Sequence, residues 1–210
     1  MKSQVILVGA SGHAKVVIEI LRESRFEVAF CIGNDPTVLE CMAVPVLHGD
    51  ETLNELFARG YRRAFIGIGE NATRKRLAEM ATRIGFSLVS AISERSVISP
   101  TARLGEGIAI MPGAIVNADT VVGSLSIINT GATVDHDCVI QECVHIGPGC
   151  ALAGNVTVGE GAFLGVGCSV IPGKRIGRGT VVGAGSVIVS DLPGGIKAVG
   201  APARQMRKTD

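Results

Sequence analysis

An aliphatic residue recurs at every sixth position from Ile98 to Ile188, and no insertion or deletion interrupts the spacing. The sixteen positions are Ile98, Leu104, Ile110, Val116, Val122, Ile128, Val134, Ile140, Ile146, Leu152, Val158, Leu164, Val170, Ile176, Val182 and Ile188. A fixed six-residue period is typical of a parallel β-helix built from hexapeptide repeats. The sequence therefore predicts an all-β prism over residues 94–193.

Three hexapeptides make one coil of such a prism, so residues about eighteen positions apart stack and the repeats give about five coils. A single coil cannot bury its own inner face, and stacking creates a continuous core. The prism has flat faces and a groove that only a neighbouring subunit can close, which predicts a homotrimer.

Residues 1–93 alternate between short apolar runs and segments of helical periodicity. The predicted strands are Val5–Val8, Val28–Ile32, Val44–Leu47, Ala64–Ile68 and Leu88–Ile92. The predicted helices are Ala14–Arg22, Thr52–Ala58 and Asn71–Ile84, with a capping box at Thr52 and Glu55 and Gly85 as a C-cap. This pattern predicts an α/β domain with a small Rossmann-like parallel sheet over 1–93. Residues 194–210 are predicted to be a C-terminal tail.

A glycine-rich turn, Gly9 to His13, separates the first strand from the first helix. Backbone N–H groups at such a helix N-terminus can hold a phosphate. Ser11 and Ala14 occupy the second and third glycine places of the dinucleotide motif, so a tight structural turn is the alternative. The second strand runs into Gly33-Asn34-Asp35 without a clear ribose-binding acid, which favours a sugar nucleotide over NAD.

Composition excludes several classes of partner. The net charge is +1, aromatic residues make up 3% of the chain, and tryptophan is absent. These values argue against nucleic acid as a partner. No apolar run is long enough for a membrane helix, and the N-terminus lacks the features of a signal peptide. We therefore expect a cytoplasmic protein without a membrane partner.

His136 is the most conspicuous interruption of the repeat. It is the third residue of its hexapeptide, points outward from a corner, and stacks between the small residues Ala118 and Gly154. Asp137 is adjacent and could orient the imidazole and raise its basicity. In the alternative interpretation His136 is a solvated corner residue and Asp137 an ordinary turn residue. His145 is predicted to face outward one face further on.

The sequence supports a metal site or a cysteine nucleophile less well than it supports a histidine base. A zinc site like that of γ-class carbonic anhydrases needs three histidines, and only His136 and His145 lie in the prism. We therefore expect no metal. Cys138, Cys150 and Cys168 occupy inward positions and are predicted to be small buried hydrophobes. Lys174 also takes an inward position, which predicts a local bulge or a snorkelling side chain.

Motifs spread over nearly the whole chain resemble those of sugar O-/N-acyltransferases of the sialic-acid O-acetyltransferase and bacillosamine N-acetyltransferase type. They are Gly9-Ala10-Ser11-Gly12-His13-Ala14-Lys15, Phe65-Ile66-Gly67-Ile68-Gly69-Glu70-Asn71 with Arg74, Ile128-Asn129-Thr130, Val134-Asp135-His136-Asp137-Cys138, His145-Ile146-Gly147-Pro148-Gly149 and Gly200-Ala201-Pro202-Ala203-Arg204. The resemblance implies a left-handed β-helix, with acetyl-CoA lying in the groove between two prisms of a trimer.

The resemblance also assigns roles to individual residues. It implies that His136 is the general base and that Asp137 increases its basicity. The residues implied to bind acetyl-CoA are His145, Gly154, Val166 and Ala184. Those implied to bind the substrate are Ser11, Gly12, His13, Gly33, Asn34, Gly69 and Asn129, with Gly33-Asn34 standing where relatives often have paired aspartates.

These features together predict an acetyltransferase that modifies the 4-amino group of a UDP-linked amino-dideoxy sugar for surface glycan or glycoprotein biosynthesis. No cysteine is placed as a nucleophile, so direct transfer is favoured over an acyl-enzyme. One alternative is a sialic-acid O-acetyltransferase. The other is a non-catalytic trimer that binds a nucleotide sugar.

Overall fold

The computed structural model describes residues 3–206. The chain divides into two compact units, Met1–Glu94 and Arg95–Asp210. Of the predicted tail, residues 207–210 lie outside the described part.

The first unit contains three helices and a mostly parallel sheet. Its elements are β1 Ser3–Val8, α1 Gly12–Glu23, β2 Phe26–Gly33, β3 Glu40–Cys41, β4 Val44–His48, α2 Thr52–Ala58, β5 Arg63–Ile66, α3 Asn71–Ile84, β6 Ser87–Leu88 and β7 Ala91–Ile92. The strand order is β3-β4-β2-β1-β5-β6. Only the β3–β4 hairpin is antiparallel among these strands. The predicted Rossmann-like α/β sheet is confirmed.

The core of this unit lies around β1. Val5, Ile6 and Leu7 are fully buried, as expected for a central parallel strand covered on both faces. At its carboxyl end, Gly9 has φ +132°, and a Cβ there would lie 2.7 Å from the carbonyl oxygen of Gly67. Only glycine fits this approach, so the chain can turn tightly from β1 into α1.

The second unit is a left-handed parallel β-helix. Its sixteen two-residue strands are β8 Val97–Ile98, β9 Arg103–Leu104, β10 Ala109–Ile110, β11 Ile115–Val116, β12 Val121–Val122, β13 Ile127–Ile128, β14 Thr133–Val134, β15 Val139–Ile140, β16 His145–Ile146, β17 Ala151–Leu152, β18 Thr157–Val158, β19 Phe163–Leu164, β20 Ser169–Val170, β21 Arg175–Ile176, β22 Val181–Val182 and β23 Val187–Ile188. Each strand ends on one of the sixteen aliphatic residues of the repeat. The predicted repeat is therefore confirmed.

The strands stack into three parallel sheets, which form the faces of the prism. The first contains β8-β11-β14-β17-β20-β23, the second β9-β12-β15-β18-β21, and the third β10-β13-β16-β19-β22. The register pairs residues eighteen positions apart, as in Val116 with Val134. The third face continues into β24, Lys197–Val199, and β25, Arg204–Gln205. The segment predicted as a tail therefore includes two strands.

The structure can be compared with the predictions for four inward positions, three cysteines and one lysine. All six cysteines are buried and outside any disulfide, and Cys138, Cys150 and Cys168 are at most 1% exposed. Lys174 is half-buried. The strands β18 and β21 beside it keep regular register, so the predicted bulge is wrong and the snorkelling alternative stays a prediction.

Within residues 3–206, no helix is both long and apolar enough to cross a membrane. The cytoplasmic location stays a prediction.

Candidate active site

His136 lies at the prism corner between β14 and β15. Its side chain is 59% exposed, and its Nδ1 atom lies 2.8 Å from Oδ2 of Asp137. Asp137 has a left-handed backbone with φ 58°. Its backbone N–H donates to the carbonyl of Ala118 in the preceding coil at 3.0 Å. The repeat therefore fixes the backbone of the pair, while the imidazole stays open to solvent.

Gly154 supplies the space that the imidazole occupies. A Cβ at this position would lie 2.5 Å from Cε1 and 2.6 Å from Nε2 of His136. Real Cβ atoms essentially never approach another heavy atom so closely, so any larger residue would displace the ring. The imidazole of His136 can take this position only because Gly154 has no side chain.

Asp135 is a third member of this corner, and sequence reasoning did not single it out. Its Oδ1 accepts hydrogen bonds from the backbone N–H of His136 at 2.8 Å and from Nδ2 of Asn117 at 2.9 Å. Asn117 and Asp135 are eighteen residues apart. The repeat spacing alone could therefore have shown that they stack.

Two carboxylates set the electrostatics of this corner. The hydrogen bond that Nδ1 of His136 donates to Asp137 raises the pKa of His136 above its ordinary value, and the charge of Asp135 raises it further. Hydrogen bonds from His136 and Asn117 hold the pKa of Asp135 below its usual range. Because Asp137 engages Nδ1, Nε2 is the ring nitrogen left to exchange a proton with a substrate.

His145 departs from expectation, because its ring is buried. It is 8% exposed, and it makes an edge contact with the ring of Phe163 at 5.1 Å between centroids. The ring is therefore covered rather than solvated. The predicted outward direction is not contradicted, because successive strand residues point to opposite sides and the next residue, Ile146, belongs to the inward aliphatic set. Its position in β16, within the third face of the prism, places it between coils rather than at a free corner.

Asn129 and His145, which the sequence analysis assigned to different ligands, contact each other. Oδ1 of Asn129 accepts from the backbone N–H of Thr130 at 2.8 Å, and Nδ2 lies 3.0 Å from Nε2 of His145. A backbone N–H can only donate, which fixes the orientation of the amide. Nε2 of His145 is therefore the acceptor, and the neutral ring carries its proton on Nδ1.

The remaining residues implied to bind acetyl-CoA fall on two corners. Gly154 stacks on His136. Val166 and Ala184 are exposed and lie eighteen positions apart on the corner that follows β16. The face containing β14 and β17 separates these corners within one chain.

In the first unit, the predicted phosphate site lies at the N-terminus of α1. Ser11 is the N-cap residue, and its side chain makes no capping hydrogen bond. Gly12 and His13 form the first turn, whose N–H groups have no partner within the helix. The structure therefore presents backbone donors at the place where the sequence predicted them.

His13 is held in a poorly solvated position. Its Nε2 is buried and has no hydrogen-bond partner among residues 3–206. Burial, and then the charge of Arg74, lower the pKa of His13 to about 4. Arg74 is 1% exposed and donates to the carbonyls of Ile68 and Gly69 at 3.0 and 2.9 Å. His13 is therefore neutral near pH 7.

A cavity of about 300 Å³ opens beside this turn at the carboxyl ends of β1 and β2. It is lined by Val8, Gly9, Ala10, Ser11, Ile32, Gly33, Asn34, Asp35, Val38, Asp50, Ile68, Thr73, Arg76 and Leu77. The cavity brings Ser11, Gly33 and Asn34 together. Gly12, His13 and Gly69 do not line it. Sequence reasoning missed Asp50 and Arg76, which come from distant segments and have no motif of their own.

No group of three or more His, Cys, Asp or Glu side chains that could hold a metal ion occurs in the part of the chain that the structure describes.

Comparisons with known proteins agree with this architecture. Residues 4–81 match the family of the PglD N-terminal domain. The chain is 50% identical to a mutant of perosamine N-acetyltransferase from Caulobacter crescentus, solved in complex with CoA and GDP-perosamine. The match covers 99% of this chain and 98% of that one, with a TM-score of 0.95.

Two further solved structures are similar over almost their whole length. The acetyltransferase domain of PglB from Neisseria gonorrhoeae, in complex with acetyl coenzyme A, is 33% identical, with coverage of 98% and 100% and a TM-score of 0.89. WeeI from Acinetobacter baumannii is 25% identical, with coverage of 98% and 100% and a TM-score of 0.84. The chain belongs to the sugar acetyltransferases of the hexapeptide-repeat type, and it is an acyltransferase.

Proposed function

We propose that the protein transfers the acetyl group of acetyl-CoA to the 4-amino group of a nucleotide-linked amino-dideoxy sugar. The observation that carries this proposal is the full-length similarity to an N-acetyltransferase crystallised with CoA and GDP-perosamine. Relatives of this kind favour amine acetylation over the sialic-acid O-acetyltransferase alternative. Because these relatives are acetyltransferases, they also disfavour the alternative of a non-catalytic trimer that binds a nucleotide sugar.

The nucleotide is proposed to be GDP. The sequence analysis predicted UDP from family resemblance, whereas the relative that is 50% identical was solved with a GDP-linked sugar. A nucleoside suits the cavity beside Ser11 and Asn34, because about 300 Å³ lies at the lower end of the range for ligand pockets. UDP remains the second candidate, and the assay below compares the two.

In the proposed mechanism His136 is the general base and Asp137 raises its basicity. The amine lone pair attacks the thioester carbonyl, a C–N bond forms, and the C–S bond breaks. Nε2 of His136 accepts the proton that the amine loses, and that proton can then pass to the departing thiolate of CoA. A base with a pKa somewhat above the ordinary histidine value suits this transfer near neutral pH. Because the six cysteines are buried, a cysteine acyl-enzyme is not part of the mechanism.

We further propose a homotrimer with acetyl-CoA between two prisms. Within one chain, His136 and the pair Val166 and Ala184 lie on different corners of the prism. A neighbouring subunit could bring the second corner of one prism to the first corner of another. This arrangement would give every site residues from two subunits, as the family resemblance implies.

The direct test is an acetylation assay with the full chain and acetyl-CoA. Candidate acceptors are GDP- and UDP-linked 4-amino-4,6-dideoxy sugars, free sialic acid and CMP-sialic acid. We expect release of free CoA thiol, and a product heavier by one acetyl group, with an amino-sugar nucleotide. Acetylation of the sialate alone would contradict the proposal.

A further inference from the structure

The cavity of the first unit combines apolar walls with a charged rim. Ile32, Val38 and Leu77 contribute to the walls, and Asp50 and Arg76 line the cavity from the loop before α2 and from α3. Asp50 lies two residues before α2, and Arg76 belongs to the second turn of α3. Apolar walls with a few placed polar groups are the usual design for holding a planar ligand. The cavity therefore suits the base of a nucleotide, with the polar rim available to read its edge.

Asp50 and Arg76 form an ion pair, with Oδ2 and Nη1 3.1 Å apart. The side chains are 30% and 57% exposed, so the pair contributes little to folding stability. The other carboxylate oxygen of Asp50 has no hydrogen-bond partner within residues 3–206. The pair therefore presents a carboxylate acceptor directly beside guanidinium donors at the cavity.

Asp35 is the other carboxylate of the cavity, and it is already engaged. Its Oδ1 accepts from the backbone N–H of Thr37 at 2.9 Å and from the hydroxyl of Thr37 at 2.6 Å. These bonds close a turn after β2. Of the two carboxylates, Asp50 has more hydrogen-bonding capacity left for a ligand.

The common bases differ in what they offer to such a pair. Guanine has two adjacent donors, N1–H and N2–H₂, and two acceptors, O6 and N7. An ionised carboxylate only accepts, and arginine only donates, so together they match guanine. Uracil has a single ring N–H between two carbonyl oxygens, and these oxygens would face the carboxylate unfavourably.

We propose that Asp50, together with Arg76, makes this cavity selective for guanine over uracil, with the carboxylate accepting from N1–H and N2–H₂. This inference rests on the proposed function, in which the acceptor is a nucleotide-linked sugar. It identifies the residues that decide which nucleotide the enzyme takes.

The test is a calorimetric titration of the full chain with GDP, IDP and UDP. IDP differs from GDP in the base only by lacking the 2-amino group. We expect GDP to bind about tenfold more tightly than IDP, within the range of a bidentate contact to a base, and UDP to bind more weakly than both. The variant Asp50→Asn should bring GDP to within about twofold of IDP.

A matched control is Glu51→Gln, which removes the same charge from the adjacent residue outside the cavity. It should keep the preference for GDP over IDP. The thermal unfolding temperature of each variant shows whether the fold is retained. Equal binding of GDP and IDP by the native chain would overturn the inference, as would loss of the preference in Asp35→Asn but not in Asp50→Asn.

The inference and the proposed function fail in different ways. If GDP- and UDP-linked amino sugars are acetylated with equal kcat/KM, the proposed acetyl transfer to an amino-sugar nucleotide stands, and the assignment of GDP and the base selectivity are wrong. If no amino-sugar nucleotide is acetylated, the proposed function is wrong. The affinities for GDP and IDP are compared without acetyl transfer. This comparison therefore tests the inference even if the proposed function is wrong.

Discussion

At the residue scale, the two carboxylates beside His136 act on different parts of it. Asp137 contacts the imidazole, and Asp135 holds the backbone N–H. Asp137 could be predicted from its adjacency to His136. Asp135 was missed because its role depends on a hydrogen bond to the backbone and on Asn117 in the coil before it.

Replacing His136 by alanine should abolish the proposed base. We expect turnover to fall by about 10²–10⁴, the usual contribution of general base catalysis. Because the side chain is exposed, the unfolding temperature and the affinity for CoA should stay close to those of the native protein. Steady-state kinetics with saturating acetyl-CoA measures the loss, and near-normal turnover would reject His136 as the base.

The pH dependence of kcat/KM should show the effect of the neighbouring carboxylates on the pKa of His136. The base is active when deprotonated, so kcat/KM should rise with pH through the titration of His136, at a pH above the ordinary histidine value. In Asp137→Asn a neutral amide replaces the carboxylate that raises the pKa of His136, so the rise should move to lower pH while maximal turnover falls.

A suitable control for this profile is Asp119→Asn. Asp119 occupies the same stacked position one coil earlier and also has a left-handed backbone, with φ 57°. It is not among the groups that shift the pKa of His136. The control profile should therefore match that of the native enzyme, and an equal shift in both variants would argue against a specific role for Asp137.

The Gly154→Ala variant tests whether the space under the imidazole is required. The added Cβ would meet the ring of His136, so the ring must move and lose its hydrogen bond with Asp137. We expect turnover to fall at least about tenfold, since small displacements of a catalytic group are costly. The unfolding temperature should stay native-like, and turnover is measured at saturating acetyl-CoA because Gly154 is itself implied to bind acetyl-CoA. Unchanged turnover would show that the ring position is not critical.

At the element scale, helix bounds were easier to predict than helix caps. The predicted bounds of α2 and α3 agree with the structure. The capping box at α2 is wrong, because Glu51 is the N-cap and the hydroxyl of Thr52 donates backwards to the carbonyl of His48 at 2.8 Å. Periodicity sets helix position, whereas the choice of cap depends on the path of the preceding loop.

The strand β3 was missed for a related reason. Its hairpin with β4 turns at Met42 and Ala43, which have φ 53° and 61°. Turns with two positive φ values usually carry glycine or asparagine. Neither residue occurs at this turn, so no turn could be predicted there.

Glu70 caps α3, and this cap should matter for stability. Its carboxylate accepts from the backbone N–H groups of Ala72 and Thr73 at 2.9 and 2.6 Å. Glu70→Ala should lower the free energy of unfolding by about 1 kcal/mol, as loss of an N-cap does. Urea denaturation measures the change, and Glu79→Ala on the exposed face of the same helix is the control.

The effect of this cap should also depend on pH. Hydrogen bonds from Thr73 and Ala72 lower the pKa of Glu70. A depressed folded-state pKa gives stability that is present above the ordinary carboxyl pKa and is lost as pH falls through the folded value. The difference between native protein and Glu70→Ala should therefore shrink in acid, and a difference that does not change with pH would contradict the ionic cap.

At the scale of the whole molecule, the repeat made one half of the chain far more predictable than the other. The sixteen strands β8 to β23 follow from the six-residue period, and so do the stacked neighbours of His136, whereas β24 and β25 do not. The cavity could not be predicted, because β1, β2, α3 and the residues before α2 assemble it in space. The burial of His145 was also missed, since a repeat shows which way a side chain points but not what covers it.

The proposed trimer leads to a prediction about mixed subunits. If each site takes His136 from one subunit and the corner with Val166 and Ala184 from its neighbour, two inactive variants should complement each other. His136→Ala removes the base, and Ala184→Trp places a large ring on an exposed corner that is implied to bind acetyl-CoA. Each trimer that contains both variants should then have about one site in three with both native corners.

Co-expression of the two variants with different tags, followed by tandem purification, yields the mixed trimers for assay. Activity well above that of either parent supports a site shared between subunits. The control is the double variant, which carries both changes in one chain and should gain nothing when mixed with either parent. If both corners acted within a single subunit, the mixed trimers would contain no intact site and would stay as inactive as the parents. Light scattering that gives a stable monomer would contradict the trimer independently of activity.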